Sequence, residues 1–266
     1  MRRVISIANQ KGGIGKSSSV IEIASVLSIE YNKKVLVIDL DQQRNLSKYI
    51  GANIETDQKG HNLIPSIYDV LTSDAFTTDS IQHLSHFDAI SASEQLSKAD
   101  RTFMDSDDMY LLADIIDGIK ELYDYIIIDN GPSRNILLTM SYVASDEIII
   151  PSECDEGSID GIIAIYSDLK KLRESRNKLS HAIVKGLILT RYEKTSIHSI
   201  ALEEDLAEIA NIMEQDIGYR PFVLPVRKSI KMSECKGFKQ SLQEYDRYGN
   251  AAKDYRKIVK TLIKEA

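Results

Sequence analysis

Lys11-Gly12-Gly13-Ile14-Gly15-Lys16-Ser17, ten residues into a chain of 266, is the stretch that decides the fold. It lies directly behind the short apolar run Val4-Ile5-Ser6-Ile7-Ala8 and ahead of a segment with Val20, Ile23, Ala24 and Leu27 at helical spacing. Strand, glycine-rich loop, helix is the layout of a phosphate-binding loop. The full pattern, a glycine and four residues ahead of Gly-Lys-Ser/Thr, is not met, yet Gly13, Gly15, Lys16 and Ser17 occupy its working half. Glycines let backbone N–H groups ring the phosphates, a lysine at 16 neutralises β/γ charge, and the Ser17 hydroxyl can ligate Mg²⁺. The helix beginning near Ser17 adds its positive end. Lys11 is a second lysine where ordinary loops have none.

Outward from the loop, short apolar runs alternate with longer helical patterns. Val4–Ala8, Val35–Asp39, Tyr125–Asp129, Glu147–Ile150 and Ile183–Leu189 read as strands, apolar on both faces and therefore buried and parallel. Between them, 17–31 and 159–176 read as helices, the second opened by Ser158 as N-cap. Residues 51–66 read as a loop before a short helix at 67–71. Residues 93–122 read as helices joined by the acidic stretch Asp105–Asp108, and 249–266 as a closing amphipathic helix with Tyr255, Ile258, Val259, Leu262 and Ile263 on one stripe. The alternation predicts an α/β fold, a doubly wound, mostly parallel sheet flanked by helices, with residues 1–266 forming one domain.

Composition narrows the classes. The start of the chain holds too few apolar residues for a signal peptide or a membrane span, so a cytoplasmic protein is expected. Cys154 and Cys235 lie far apart with no Cys or His at ligand spacing, which argues against a disulfide framework and a metal cluster. The net charge of −7 is uneven: residues 220–266 hold 12 Lys/Arg against 5 Asp/Glu, the rest 21 against 35. That asymmetry suits an anionic partner at the C-terminal region, or a solvated helix face.

Two of the strands end in carboxylates. Val35–Ile38 runs into Asp39-Leu40-Asp41, and Tyr125–Ile128 into Asp129. Ligands bind at the carboxyl ends of parallel strands, so an Asp there, beside a phosphate loop, is placed to hold Mg²⁺ or its water.

In order and spacing, the loop, "VLVIDLDQQRN", "YDYIIIDNGPS" and "SDEIIIPSECD" resemble the ParA/MinD family of deviant Walker A P-loop ATPases, closest to the ParA (Soj-like) DNA partition ATPases without an N-terminal DNA-binding domain. The resemblance covers most of the chain and has definite implications. ATP would sit against Lys11, Gly12, Gly13, Ile14, Gly15, Lys16, Ser17 and Ser18, with Pro225 and Val226 near the adenine. Mg²⁺ would be held by Ser17, Asp39 and Asp129. Asp41, in the first switch segment, would orient the attacking water, and Gly131 would lie in the second. Lys11 would cross a homodimer interface to the partner's phosphates, so that hydrolysis to ADP and phosphate is slow and depends on dimerisation. Departures occur at Asp41-Gln42-Gln43 and Asn130-Gly131-Pro132, where the family has an extra proline in each; the loss loosens the switch backbones.

The same resemblance implies nonspecific DNA binding by the ATP dimer through Arg191, Lys194, Arg227, Lys228 and Lys231, a nucleoid-associated location, and a ParB-type partner that stimulates hydrolysis. A helix-turn-helix ahead of a loop at residue 11 is not expected. The alternative within the family is a MinD-like membrane-associated ATPase, which would use the basic amphipathic segment Lys253–Lys264 on lipid. An iron-sulfur ATPase of the nitrogenase-reductase type needs cysteines near the second switch, and 129–133 has none.

Overall fold

The computed structural model describes residues 2–52, 55, 63–153 and 157–264. Most of the loop expected at 51–66, and Cys154, lie outside the described residues. The strands are β1 (Arg3–Ile7), β2 (Val35–Asp39), β3 (Ile81–His83), β4 (Asp88–Ile90), β5 (Tyr125–Asp129), β6 (Glu147–Glu153), β7 (Ile183–Tyr192) and β8 (Phe222–Arg227). They form one sheet in the order β3-β4-β2-β5-β1-β6-β7-β8, parallel throughout except for the antiparallel β3–β4 pair.

The strands are apolar on both faces because both faces are covered. On one, Ile5, Ile7, Val35, Val37, Tyr125, Ile127, Ile149 and Ile188 pack against the helices Lys16–Tyr31 and Asn250–Lys264. On the other, Leu36, Ile38, Ile126 and Ile128 meet the helices Leu111–Ile119 and Ile136–Ala144. Further along that face, Ile148, Ile150, Val184 and Leu187 meet the helices Ser158–Glu174 and Ile197–Ile217. Neighbouring residues of a strand point to opposite faces, so each strand feeds two cores. The stripe read in the closing helix, Tyr255, Ile258, Val259 and Leu262, is buried in the first of them.

Several boundaries differ from the sequence reading. β6 continues through Pro151 although proline breaks central ladders. The Pro151 carbonyl faces the β1 side, where it accepts from Asn9 Nδ2 at 2.8 Å. A strand residue's two main-chain polar groups point to the same neighbour, and β1 has stopped pairing with β6 at Ile149, so the missing N–H costs no ladder bond. Gly157, with φ of +86°, stands at the N-cap expected for Ser158, which is the first helical residue. β3 and β4 are only three residues long, and β8 contains Pro225, so none shows strand periodicity in the sequence. β8 docks because Gly186 on β7 leaves room for the Phe222 ring; a Cβ there would lie 2.1 Å from it.

One buried acid joins the loop-bearing helix to the C-terminal segment. Glu22, on Lys16–Tyr31, accepts from Leu242 N at 2.7 Å and Gln243 Nε2 at 3.4 Å. Burial pushes its carboxyl up to about 7, against the pull of those two bonds. A raised carboxylate pKa gives stability that is full below the unfolded value, near 4.3, and lost as pH rises through 7. That interval corresponds to roughly 3–4 kcal/mol. Denaturant titrations of the nucleotide-free protein at pH 5 and pH 8 are expected to show falling stability, and Glu22→Gln to lose about 1–3 kcal/mol less over that interval. Equal losses in the two proteins would disprove the assignment.

Candidate nucleotide-binding site

The loop leaves β1 and is held from two strands. Asn9, buried, accepts from Lys11 N at 3.0 Å while donating to Pro151 on β6. On β7, the Thr190 hydroxyl lies 2.9 Å from the Ile14 carbonyl and 3.1 Å from that of Ser152. Gly13 and Gly15 have φ of +78° and +93°, a region open to glycine and strained for other residues. Gly15 is the N-cap of Lys16–Tyr31 and supplies no side-chain bond to its first turn. The N–H groups of that turn are therefore suited to an anion, and the helix dipole favours one.

The two lysines are placed differently. Lys16 is buried, its Nζ donating to the Lys11 carbonyl at 2.7 Å, whereas Lys11 is exposed. Burial lowers the Lys16 pKa, and the charges of Asp129 and Asp41 oppose that shift.

The carboxylates expected around the loop converge through pairing of β2 with β5, which sets Asp39 opposite Asp129. Asp39 is committed to local bonds: Oδ1 accepts from Asp41 N at 3.0 Å, Oδ2 from Ser47 N at 2.9 Å and from Ser47 Oγ at 2.7 Å. Burial lifts its carboxyl to about 6, with the Ser47 bonds pulling it down. Asp129 is wholly buried, and neither oxygen has a hydrogen-bond partner among the described residues. Burial first, then the charge of Asp39, pushes its carboxyl well above the usual range; the nearby Ser17 hydroxyl and Lys16 pull the other way. Asp41 caps the turn after β2, accepting from Gln43 N at 3.0 Å. Gly131 packs on it, since a Cβ at 131 would lie 3.3 Å from Asp41 Oδ1.

The orphaned oxygens of Asp129 beside a serine hydroxyl fit a hard divalent cation that draws its other ligands from water and phosphate. Among the described residues no group of three or more His, Cys, Asp and Glu forms a full protein cage.

A cleft of about 650 Å³ opens over the loop, a volume that suits a nucleotide. Of the residues singled out in the sequence, Gly12 through Ser18, Asp41 and Val226 line it, whereas Lys11 and Pro225 do not. Asn45, Tyr49, Thr190, Met232, Lys236 and Tyr255 also line it and escaped the sequence reading. Only Thr190, at the carboxyl end of a parallel strand, had a signal that could have found it.

The five basic residues expected to face DNA have diverse surroundings. Arg227 is held on Asp254 at 2.6 and 2.8 Å and borders the cleft. Lys228 pairs with Glu193 and Lys231 with Glu234, each at 2.6–2.7 Å on the exposed surface. Arg191 pairs with Glu153 and reaches the loop itself. Lys194 is exposed, with no acidic partner among the described residues.

Comparison with known proteins agrees with this geometry. A family profile described as "AAA domain" matches residues 2–181. The chromosome partitioning protein ParA of Caulobacter vibrioides is 27% identical over 266 residues, covering 98% of this chain and 94% of the relative. A putative plasmid partition protein from Borrelia burgdorferi, solved with AMPPNP, is 25% identical with a TM-score of 0.77 over 100% of this chain and 99% of that one. The ATP complex of a single-residue variant of Cyanothece McdA superposes with a TM-score of 0.84 at 21% identity, covering 98% and 96%, and shows the shared fold. With its variant loop at the carboxyl edge of a mostly parallel sheet, its paired strand-end aspartates and these matches along nearly its whole length, the chain belongs to the AAA-domain family of P-loop ATPases, in the ParA/MinD group.

Proposed function

We propose that the protein is a ParA-type ATPase driving plasmid or chromosome segregation. ATP with Mg²⁺ closes a homodimer, the dimer binds DNA without sequence preference, and slow hydrolysis, stimulated by a ParB-type partner, releases it. The observation that carries this reading is the division between the two lysines: Lys16 is closed into its own loop, and Lys11 stands exposed at the mouth. In this reading Gly12–Ser18 cradle the phosphates, Val226 lies toward the adenine, and Ser17 and Asp129 hold Mg²⁺. Asp39 holds the metal's water, Asp41 orients the attacking water, and Gly131 moves with the second switch. The metal, when bound, neutralises phosphate charge. Arg191, Lys194, Lys228 and Lys231, all exposed, form the DNA-facing set, while Arg227 is half-buried against Asp254 at the cleft. The protein acts in the cytoplasm on the nucleoid.

The membrane-associated alternative is disfavoured by packing. The apolar stripe of Asn250–Lys264 is in the core, where lipid cannot reach it. No helix among the described residues is long and apolar enough to cross a membrane.

Parallel co-sedimentation with DNA and with anionic liposomes tests the choice. Retention on DNA is expected with ATP and not with ADP, falling about 100-fold between 50 and 200 mM salt for roughly four phosphate contacts. Retention on liposomes but not DNA would replace this reading with the membrane one.

A further inference from the structure

Arg191 does not behave as a surface cation. It is the penultimate residue of β7, at a break in the register with β8, with its backbone at φ of +53°. For a residue with a Cβ that conformation is strained, and such strain persists where surrounding structure enforces it. The strained backbone aims the guanidinium back over the phosphate loop. Nη1 lies 2.7 and 2.9 Å from the two oxygens of Glu153, and Nη2 donates to the Gly13 carbonyl at 3.3 Å. Arg191 lines the same cleft as Gly12–Ser18, and so does the partly buried Lys236. Burial lowers the Lys236 pKa, and the positive charge of Arg191 adds to that effect. Two like charges facing one cleft repel each other, and an anion between them removes the repulsion.

We propose that Arg191 is a phosphate-binding residue of its own chain's nucleotide site, held in reserve by Glu153 and transferred to the nucleotide's phosphates on binding. The proposal rests on the nucleotide-binding reading above. It removes Arg191 from the DNA-facing set. A guanidinium offers a planar fork of donors and does not lose its charge, so exchange of a carboxylate for a phosphate oxygen conserves its bonding. Glu153 is then a competitor: it positions the side chain and must let it go. Its β6 strand also carries Pro151 and Ser152, which anchor the loop through Asn9 and Thr190, so the pair sits on the loop's own support.

The test is equilibrium titration with ATP, ADP and adenosine on the wild type, Arg191→Asn, Arg191→Lys and Glu153→Gln. Asparagine tolerates the left-handed backbone, so Arg191→Asn removes the guanidinium without adding strain. Arg191→Asn should weaken ATP and ADP about 10- to 100-fold, the range for losing a charged hydrogen bond, and leave adenosine unchanged. Arg191→Lys should recover part of the loss. Glu153→Gln should tighten ATP and ADP, because it releases the arginine. If Arg191→Asn changes ATP affinity less than twofold, or weakens adenosine equally, the phosphate assignment is wrong. Weakening by Glu153→Gln would show a structural strut instead and also overturn it. A wild type that binds no ATP would sink the nucleotide-binding reading itself, an outcome separable from the others.

Discussion

Lys11→Ala is expected to leave the affinity of the single chain for ATP within about threefold, to abolish the ATP-dependent dimer, and to lower turnover about 10³-fold. The expectation follows from where the two ammonium groups lie. Lys16 is buried, its Nζ 2.7 Å from a carbonyl of its own loop, and is the group positioned to neutralise phosphate in the same chain. Lys11 is turned to the surface at the lip of the cleft, and its side chain is not part of the lining. In the proposed reading that charge acts on a second nucleotide facing it across the dimer interface. Cations supplied in trans to a phosphoryl transition state are worth about 10³ to 10⁵ in rate, so its removal should show in turnover before binding. Light scattering with ATP, nucleotide titration and phosphate release together check it. A Lys11→Ala protein that still dimerises on ATP contradicts the trans role.

Asp129→Asn is expected to have two opposite effects. Without ligands, a buried carboxylate with no hydrogen-bond partner among the described residues, next to Asp39, destabilises the fold. Replacing it with a neutral group of the same shape should stabilise the nucleotide-free protein by about 1–3 kcal/mol, several degrees in Tm for a chain of this size. With Mg²⁺ and ATP the order reverses: the variant should lose the added stability that Mg²⁺ confers on the wild type, and about 10³-fold in turnover. Thermal melts with and without Mg²⁺·ATP provide a readout independent of hydrolysis. A variant less stable than the wild type in the absence of ligand would mean that Asp129 has a structural partner instead of a metal.

The positions that escaped the sequence share a cause. Pro225 disguised β8, because a proline in an apolar run argues against a strand, and the edge position that tolerates it is visible only once the sheet is assembled. β3 and β4 are too short for any period to register. Lys236 and Tyr49 have no local motif; they reach the cleft because the segments 231–237 and 45–50 pack beside the loop, where Lys236 Nζ lies 4.6 Å from the Tyr49 ring centre. The basic residues show the same limit more sharply. Arg191, Arg227, Lys228 and Lys231 look alike in the sequence, yet each has a different carboxylate partner and a different outlook.

The sequence by itself determined the local elements and the loop: backbone conformation and hydrophobic period are properties of neighbouring residues, so Gly13, Gly15, Lys16, Ser17 and the apolar runs announce a strand, a phosphate loop and a helix without outside help. It also determined that Asp39 and Asp129 end buried strands and that Asp41 follows the first of them. Only the tertiary structure decided that Asp39 and Asp129 stand side by side, because β2 and β5, far apart in the chain, choose each other through burial on both faces and not through any local signal. It likewise decided that Asp39 is bonded while Asp129 is not, and that Arg191 points at the loop. A side chain's charge is written in the sequence, but its partner is whatever the packed sheet brings within about 3 Å.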